Sequence, residues 1–213
     1  EVVIRPQINK EQPLNKMAVT GARMLSVEEA SRYAGGLDDP ARLVSSFAGV
    51  AANLSSNGIS IHGNAPHLLQ WRMEDVEIPN PNHFADISIL GGGVLSSLSS
   101  QVLGNSDFFT GAFPAEYGNA VSGVFDMKLR NGNNRKMENT LQAGILGLDI
   151  ASEGPLSKKH QASYIFNYRY STTGLLNRIY PGLDMGGTLD YQDLNFKLNF
   201  PTQKAGTFSV WGT

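Results

Sequence analysis

Two segments in the last third of the chain alternate apolar and polar side chains almost without exception. In "ASYIFNYRYS" one face carries Ala162, Tyr164, Phe166, Tyr168 and Tyr170, the other Ser163, Ile165, Asn167, Arg169 and Ser171; only Ile165 breaks the rule. In "DLNFKLNF" Leu194, Phe196, Leu198 and Phe200 oppose Asp193, Asn195, Lys197 and Asn199. A period of two belongs to β-strands, whose successive side chains point to opposite faces. Earlier, Leu141, Ala143 and Ile145 give way to Leu146, Leu148 and Ile150, a change of phase that predicts a bend or tight turn near Leu146-Gly147. Phe208 and Val210 begin one more strand.

Upstream the pattern is less regular. Residues 1–25 read as an extended, polar segment. Ser26 with Glu29 three residues later forms a capping box, predicting a short helix that ends at Gly35-Gly36. Asp39-Pro40 is an acidic N-cap followed by proline at the first helical position; Leu43, Val44 and Phe47 then supply the apolar stripe of a second helix before Gly49. From Ile59 to Phe125, short apolar runs separated by turn clusters predict strands at "ISIHG", "LLQWRM", "VEIPNPNHF", "ISIL", "DFFTGAF" and "SGVFDMKL". The organisation is therefore an N-terminal segment (1–25), an α+β domain with a small mixed sheet and short helices (26–134), and a run of antiparallel strands (135–213), with the change near Asn134.

Composition narrows the function. A formal charge of -2 with 17% charged residues lacks the basic surface that nucleic acid requires, so no nucleic-acid partner is expected. The absence of cysteine removes disulfides, thiol nucleophiles and thiolate metal sites. No run approaches the ~18 apolar residues of a membrane-spanning helix, which leaves strands as the only route into lipid. The alternation alone suits both a soluble sandwich and a membrane barrel. Tyr168, Tyr170 and Tyr191 near strand ends match the aromatic girdle of a barrel. A start at Glu1 without a leader and an end at Trp211-Gly212-Thr213 in mid-strand suggest a piece of a longer chain.

Familiar chemistries fail on their own requirements. Gly91-Gly92-Gly93 follows an apolar run, yet a dinucleotide fingerprint needs glycine where Ser96 stands, and no Walker lysine follows. These glycines are instead expected to form a hinge leading into a short serine-rich helix before "NSDFF". Gly104-Asn105-Ser106-Asp107-Phe108 lacks the last glycine of a hydrolase elbow. His62, His67, His83 and His160 match no zinc spacing, and Glu74-Asp75, as neighbours on a strand, would point apart. No catalytic residue, metal or cofactor is expected, and the chain reads as a non-enzyme.

The stretches "GISIHG", "WRMEDVEIPNPNHF" and "NSDFFTGAFPAEYGNAVSGVFDMKLRNG", in that order, resemble the plug domain of TonB-dependent outer-membrane receptors, particularly forms common in Bacteroidetes. "ISIHG", ending at Gly63, stands where plugs read I-x-I-R-G. Gly111, Pro114, Tyr117, Gly118, Gly123 and Val124 fall on the later plug pattern. His62 replaces the usual arginine, and Glu74-Asp75 the usual aspartate-glycine turn.

The resemblance implies a plug that fills, from the periplasmic side, the lumen of a barrel of about 22 strands in the outer membrane, of which this chain carries only the first few. It implies active uptake of a small-molecule, glycan or peptide cargo, driven by a TonB-like energising protein and aided in some forms by a surface lipoprotein. Outer-membrane lipid would contact the barrel strands. Glu1-Val2-Val3-Ile4 resembles the partner-binding box that precedes such plugs. Residues 172–189 would be an extracellular loop, and 155–160 and 201–206 short periplasmic turns. Asn53, Asn57, Asn64, His67, Asn80, Asn82, His83 and Phe84, in turns between plug strands, are the candidate cargo contacts. A non-transporting periplasmic or surface binding module with a plug-like fold is the alternative.

Overall fold

A computed structural model describes residues 12–213 except 27–28, 30–31, 33–38, 53–55, 88–89, 145–146, 158–159 and 175–188. The chain divides into two compact units. The first comprises Glu1–Ser96 and Leu103–Lys128, the second Ser97–Val102 and Leu129–Thr213. The division falls at Lys128/Leu129, ahead of Asn134, and the short stretch Ser97–Val102 groups with the later strands.

The first unit is built on a five-stranded mixed sheet. Its strands are β1 (Ala22–Leu25), β4 (Leu69–Met73), β5 (Val76–Ile78), β6 (Ser106–Phe109) and β7 (Gly123–Met127), in the order β1-β6-β7-β4-β5; β2 (Val50–Ala52) and β3 (Ile59–Ile61) form a separate hairpin. Only β4 and β7 run parallel. Every residue of β6 and β7 is buried, so both sheet faces are covered. On one face Phe108 meets Phe125 edge-on at 5.5 Å, and Trp71 and Phe47 extend the cluster. On the other, Phe109, Tyr117 and Val124 pack with Phe113 and Ala22. Gly123 is obligatory: a β-carbon there would lie 2.2 Å from Ile61 Cδ1 and 2.7 Å from the Phe109 carbonyl oxygen.

Local signals were realised unevenly. Ser26 Oγ accepts the Glu29 amide at 3.2 Å, as a capping box should, but the predicted end at Gly35-Gly36 lies outside the described residues. Asp39 caps Pro40–Ser46 by accepting the Ala41 amide, and the element is a 3₁₀ helix. Glu74 and Asp75 both adopt positive φ, 50° and 69°, and so make the tight β4–β5 turn themselves. In the expected strand "ISIL", Ile87 lies in a bend and Leu90 in a turn, both exposed, and the two residues between them lie outside the described residues. The expected serine-rich helix after Gly93 is also absent, because Ser96 is held by Asp39 and bridges to Asn82. Nor are the glycines an open hinge: all three are buried. A β-carbon on Gly91 would strike the His67 backbone at 2.4 Å, and one on Gly93 would sit 2.6 Å from Asn82 Cβ.

The second unit is an antiparallel meander of β8 (Glu138–Ala143), β9 (Leu148–Ser157), β10 (Ala162–Tyr170), β11 (Gln192–Pro201) and β12 (Thr207–Gly212), ordered β12-β11-β10-β9-β8. Gly144 and Gly147 exchange backbone hydrogen bonds across the β8–β9 turn, where the phase change predicted one. The sequence stretch expected to form a long loop before β11 lies mostly outside the described residues.

Candidate functional site

In the first unit one buried carboxylate, Asp39, holds Asn57 directly and Asn82 through it, two of the predicted cargo contacts. Asp39 Oδ1 accepts the Ala41 amide at 3.0 Å and the Ser96 hydroxyl at 2.6 Å; Oδ2 accepts the Ser96 amide at 2.8 Å and the Asn57 amide nitrogen at 2.6 Å. Asn57 also donates to Asn82 Oδ1 at 3.1 Å. Asn57 and Asn82 are 4% and 6% exposed, so their side chains tie the turns together and do not face solvent. Asn80 likewise donates to the Gly91 carbonyl at 2.9 Å and accepts the Asn82 amide, and Asn64 closes its own turn on the Ile61 carbonyl.

What this knot leaves at the surface is a smaller set. His67 and the neighbouring His62 are exposed, and His83 and Phe84 are half-buried with ring centroids 6.2 Å apart. Phe84 holds a φ of 58°, a conformation costly for an aromatic residue. Asn53 lies outside the described residues. Among those residues no group of three or more His, Cys, Asp or Glu side chains is placed to hold a metal.

A second feature of the first unit was missed by sequence reasoning. Asp107 on β6 and Asp126 on β7 stand directly opposite each other. Like charges so placed repel, and each is occupied differently. Asp107 accepts the amides of Leu14 and Asn15, at 2.9 and 2.7 Å, and thereby clips the segment before β1 to the sheet. Burial pushes its carboxyl above the usual carboxylate range, against the pull of those two amides. Asp126 accepts the Tyr117 hydroxyl at 2.7 Å, and Asn15 donates to that same hydroxyl at 2.9 Å. Burial raises the Tyr117 phenol well above its ordinary value, so it stays protonated and donating. Together these groups border a cleft of about 290 Å³. The available signal was an aspartate within each of two apolar strands, "SDFF" and "GVFDM".

The plug-motif positions have distinct physical roles. Tyr117 is a core residue with its hydroxyl spent on Asp126, and the Gly118 carbonyl accepts Gln70 at 3.0 Å. Pro114 opens the turn that closes on the Tyr117 amide. Gly63, at φ 82°, makes the exposed turn after β3, while nothing crowds Gly111.

In the second unit the two faces of the sheet are sorted by polarity. One rung across three strands reads Asp149, Arg169, Asp193; the next reads Ala151, Asn167, Asn195. These residues are buried, whereas Leu148, Ile150, Phe166, Tyr170, Leu194 and Phe200 on the opposite face are exposed. The polar face is covered within the unit by the irregular backbone it holds. Arg169 donates to the Leu98 carbonyl at 2.9 Å, Asn195 to that of Ser97 at 2.8 Å, and Lys197 to that of Leu129 at 2.9 Å. Arg130 pairs with Glu153 at 2.7 Å and donates to the Gln101 carbonyl.

No family model and no curated protein matches the sequence. Solved structures do. The siderophore receptor PirA from Acinetobacter baumannii superposes with a TM-score of 0.61 at 16% identity, over 90% of this chain and 31% of that one. The chain has the fold of the TonB-dependent outer-membrane receptors. The outer-membrane transporter YddB from Escherichia coli gives 0.58 at 15% identity over 97% of this chain and 34% of its own. A mutant of the ferric enterobactin receptor PfeA from Pseudomonas aeruginosa gives 0.53 at 16% identity, over 89% and 31%. The first unit, a mixed sheet with few helices, matches the receptor plug. The chain spans about a third of the length of these receptors. Two of the three are receptors, for a siderophore and for ferric enterobactin, and the third is an outer-membrane transporter. The finer resemblance to forms common in Bacteroidetes rests on the sequence pattern alone.

Proposed function

We propose that the chain is the plug and opening barrel strands of an outer-membrane TonB-dependent receptor that carries out active uptake. The observation that carries the reading is the inverted sorting of the second unit: charged side chains buried, apolar and aromatic ones exposed. A sheet facing water would expose the opposite face, whereas a strand in lipid places its apolar side outward. β8 to β12 are then the first strands of the barrel, and their short turns after β9 and β11 face the periplasm.

In this reading the first unit gates the path. Glu1-Val2-Val3-Ile4, outside the described residues, is the box that a TonB-like protein engages by adding a strand to its own sheet. Cargo contacts fall to Asn64, His67, His83 and Phe84, with Asn57, Asn80 and Asn82 shaping the turns that present them. Two neighbours are siderophore-type receptors, which supports a small-molecule chelate ahead of a glycan or peptide; a surface lipoprotein partner belongs to the same proposal.

The test is an in-frame deletion of Glu1 to Ile4 in the full-length receptor. Uptake is lost while outer-membrane assembly and cargo binding at the cell surface persist. Uptake equal to the parent's refutes the box, and with it favours the non-transporting binding module.

A further inference from the structure

The outward face of the second unit carries a groove that the transport reading does not use. At the β9–β10 and β11–β12 turns, Ala162 forms a small-residue floor between two large exposed neighbours, Leu156 and Phe200. The pairing register shifts between Ala162 and Ser163, a local irregularity that bends the strand beside the groove. The cleft is about 950 Å³, at the upper end of the ~300–1,000 Å³ common for small-molecule sites. Phe200 pairs with the exposed Phe208 across β11 and β12, so the groove adjoins the exposed apolar side chains of that face.

Its mouth has the opposite chemistry. His160, Gln161, Gln203 and Lys204 are exposed at the rim, and neither turn sequence, "PLSKKHQAS" or "FPTQKAGT", contains a carboxylate. Thr202 is spent on its own turn, accepting the Ala205 amide and donating to the Gly206 carbonyl. An apolar slot with a cationic, donor-rich lip fits an amphiphile whose head is anionic. A protein partner would meet a continuous apolar face with charge only at one end.

We propose that this groove holds an anionic phospholipid, its acyl chain over Ala162 and its phosphate at His160 and Lys204. The site rests on the barrel reading above, since only a lipid-facing sheet presents this groove to phospholipid. The lipid would fix the turn ends of β9 to β12 at the membrane boundary. Cationic side chains at such a boundary attract anionic headgroups.

Native mass spectrometry of the full-length receptor, delipidated in detergent and titrated with phosphatidylglycerol or phosphatidylcholine, tests it. The parent retains phosphatidylglycerol preferentially, and inorganic phosphate does not compete. Lys204→Gln weakens retention about fivefold, and adding His160→Gln weakens it further. Ala162→Phe, which fills the slot, abolishes retention of both lipids. Equal retention by parent and Lys204→Gln, or equal retention of the two lipids by the parent, overturns the proposal. Fractionation separates the two readings: a receptor found in the outer membrane but indifferent to these substitutions sinks the lipid site alone. A full-length chain absent from the membrane sinks the barrel reading and the lipid site together.

Discussion

The two units solve the burial problem in opposite ways with the same element. In the first, β6 and β7 hide Phe108, Phe109 and Phe125, and the two aspartates buried beside them, Asp107 and Asp126, are each held by hydrogen bonds. In the second, β9, β10 and β11 hide Asp149, Asn167, Arg169 and Lys197 and leave Leu194, Phe166 and Phe200 exposed. Hydrophobic content does not distinguish them; the face that is covered does. A strand's alternation reports that it has two different sides, and only the identity of the covered side says which solvent it was built for.

The contrast is most directly broken in the first unit's core. Phe125→Ala removes a ring that meets both Trp71 and Phe108, and should cost about 3–5 kcal/mol, read as a shift in the denaturation midpoint of the plug. Next is the outward face of the second unit. Phe166→Arg should cost about 2–4 kcal/mol when the receptor is in lipid, read from its folding equilibrium in vesicles. The same change would be nearly neutral if that face met water, so a small effect in vesicles removes the distinction between the units.

A smaller effect is expected at the Asp39 knot. Asp39→Ala leaves the Ala41 and Ser96 amides without their acceptor, and the cap alone is worth about 0.5–2 kcal/mol. Amide exchange at Ala41 and Ser96 should accelerate, with the strands of the second unit unaffected.

The smallest effect is at Asp107. Its folded pKa lies above the unfolded value, so the folded state binds the proton more tightly. Its contribution is most favourable below the unfolded value near ~3.9 and declines as pH rises through the folded value. The stability of the parent relative to Asp107→Asn, which does not titrate, should therefore rise as pH falls across that window. A difference independent of pH would mean that the two amides of Leu14 and Asn15 offset the burial entirely.

What the sequence made legible follows from which physics is local. The alternation in "DLNFKLNF" survived intact because each residue's face is set by backbone pleat alone. The Asp39 cap and the Ser26 box were legible for the same reason. The serine-rich run after Gly93 was misread as helix because its fate depends on Asp39, distant in sequence but within hydrogen-bonding reach. Asn57 and Asn82 look like open turn residues in the sequence, since nothing local reveals that the Asn57 amide donates both to the Asp39 carboxylate and to Asn82 Oδ1. The Asp107 clip was invisible for a third reason: its partners are main-chain amides, which carry no signature in the sequence.

The Asp149, Arg169, Asp193 rung also acts on errors in assembly. Sliding β10 by a single residue against its neighbours would turn Arg169 and Asn167 outward and bring Tyr168 and Phe166 inward, all at once. If that face meets lipid, as proposed above, each misplaced charge carries its own penalty, so a slipped hairpin is rejected as a unit and not tolerated as a local defect. The buried charges thus proofread the register of the strands that carry them.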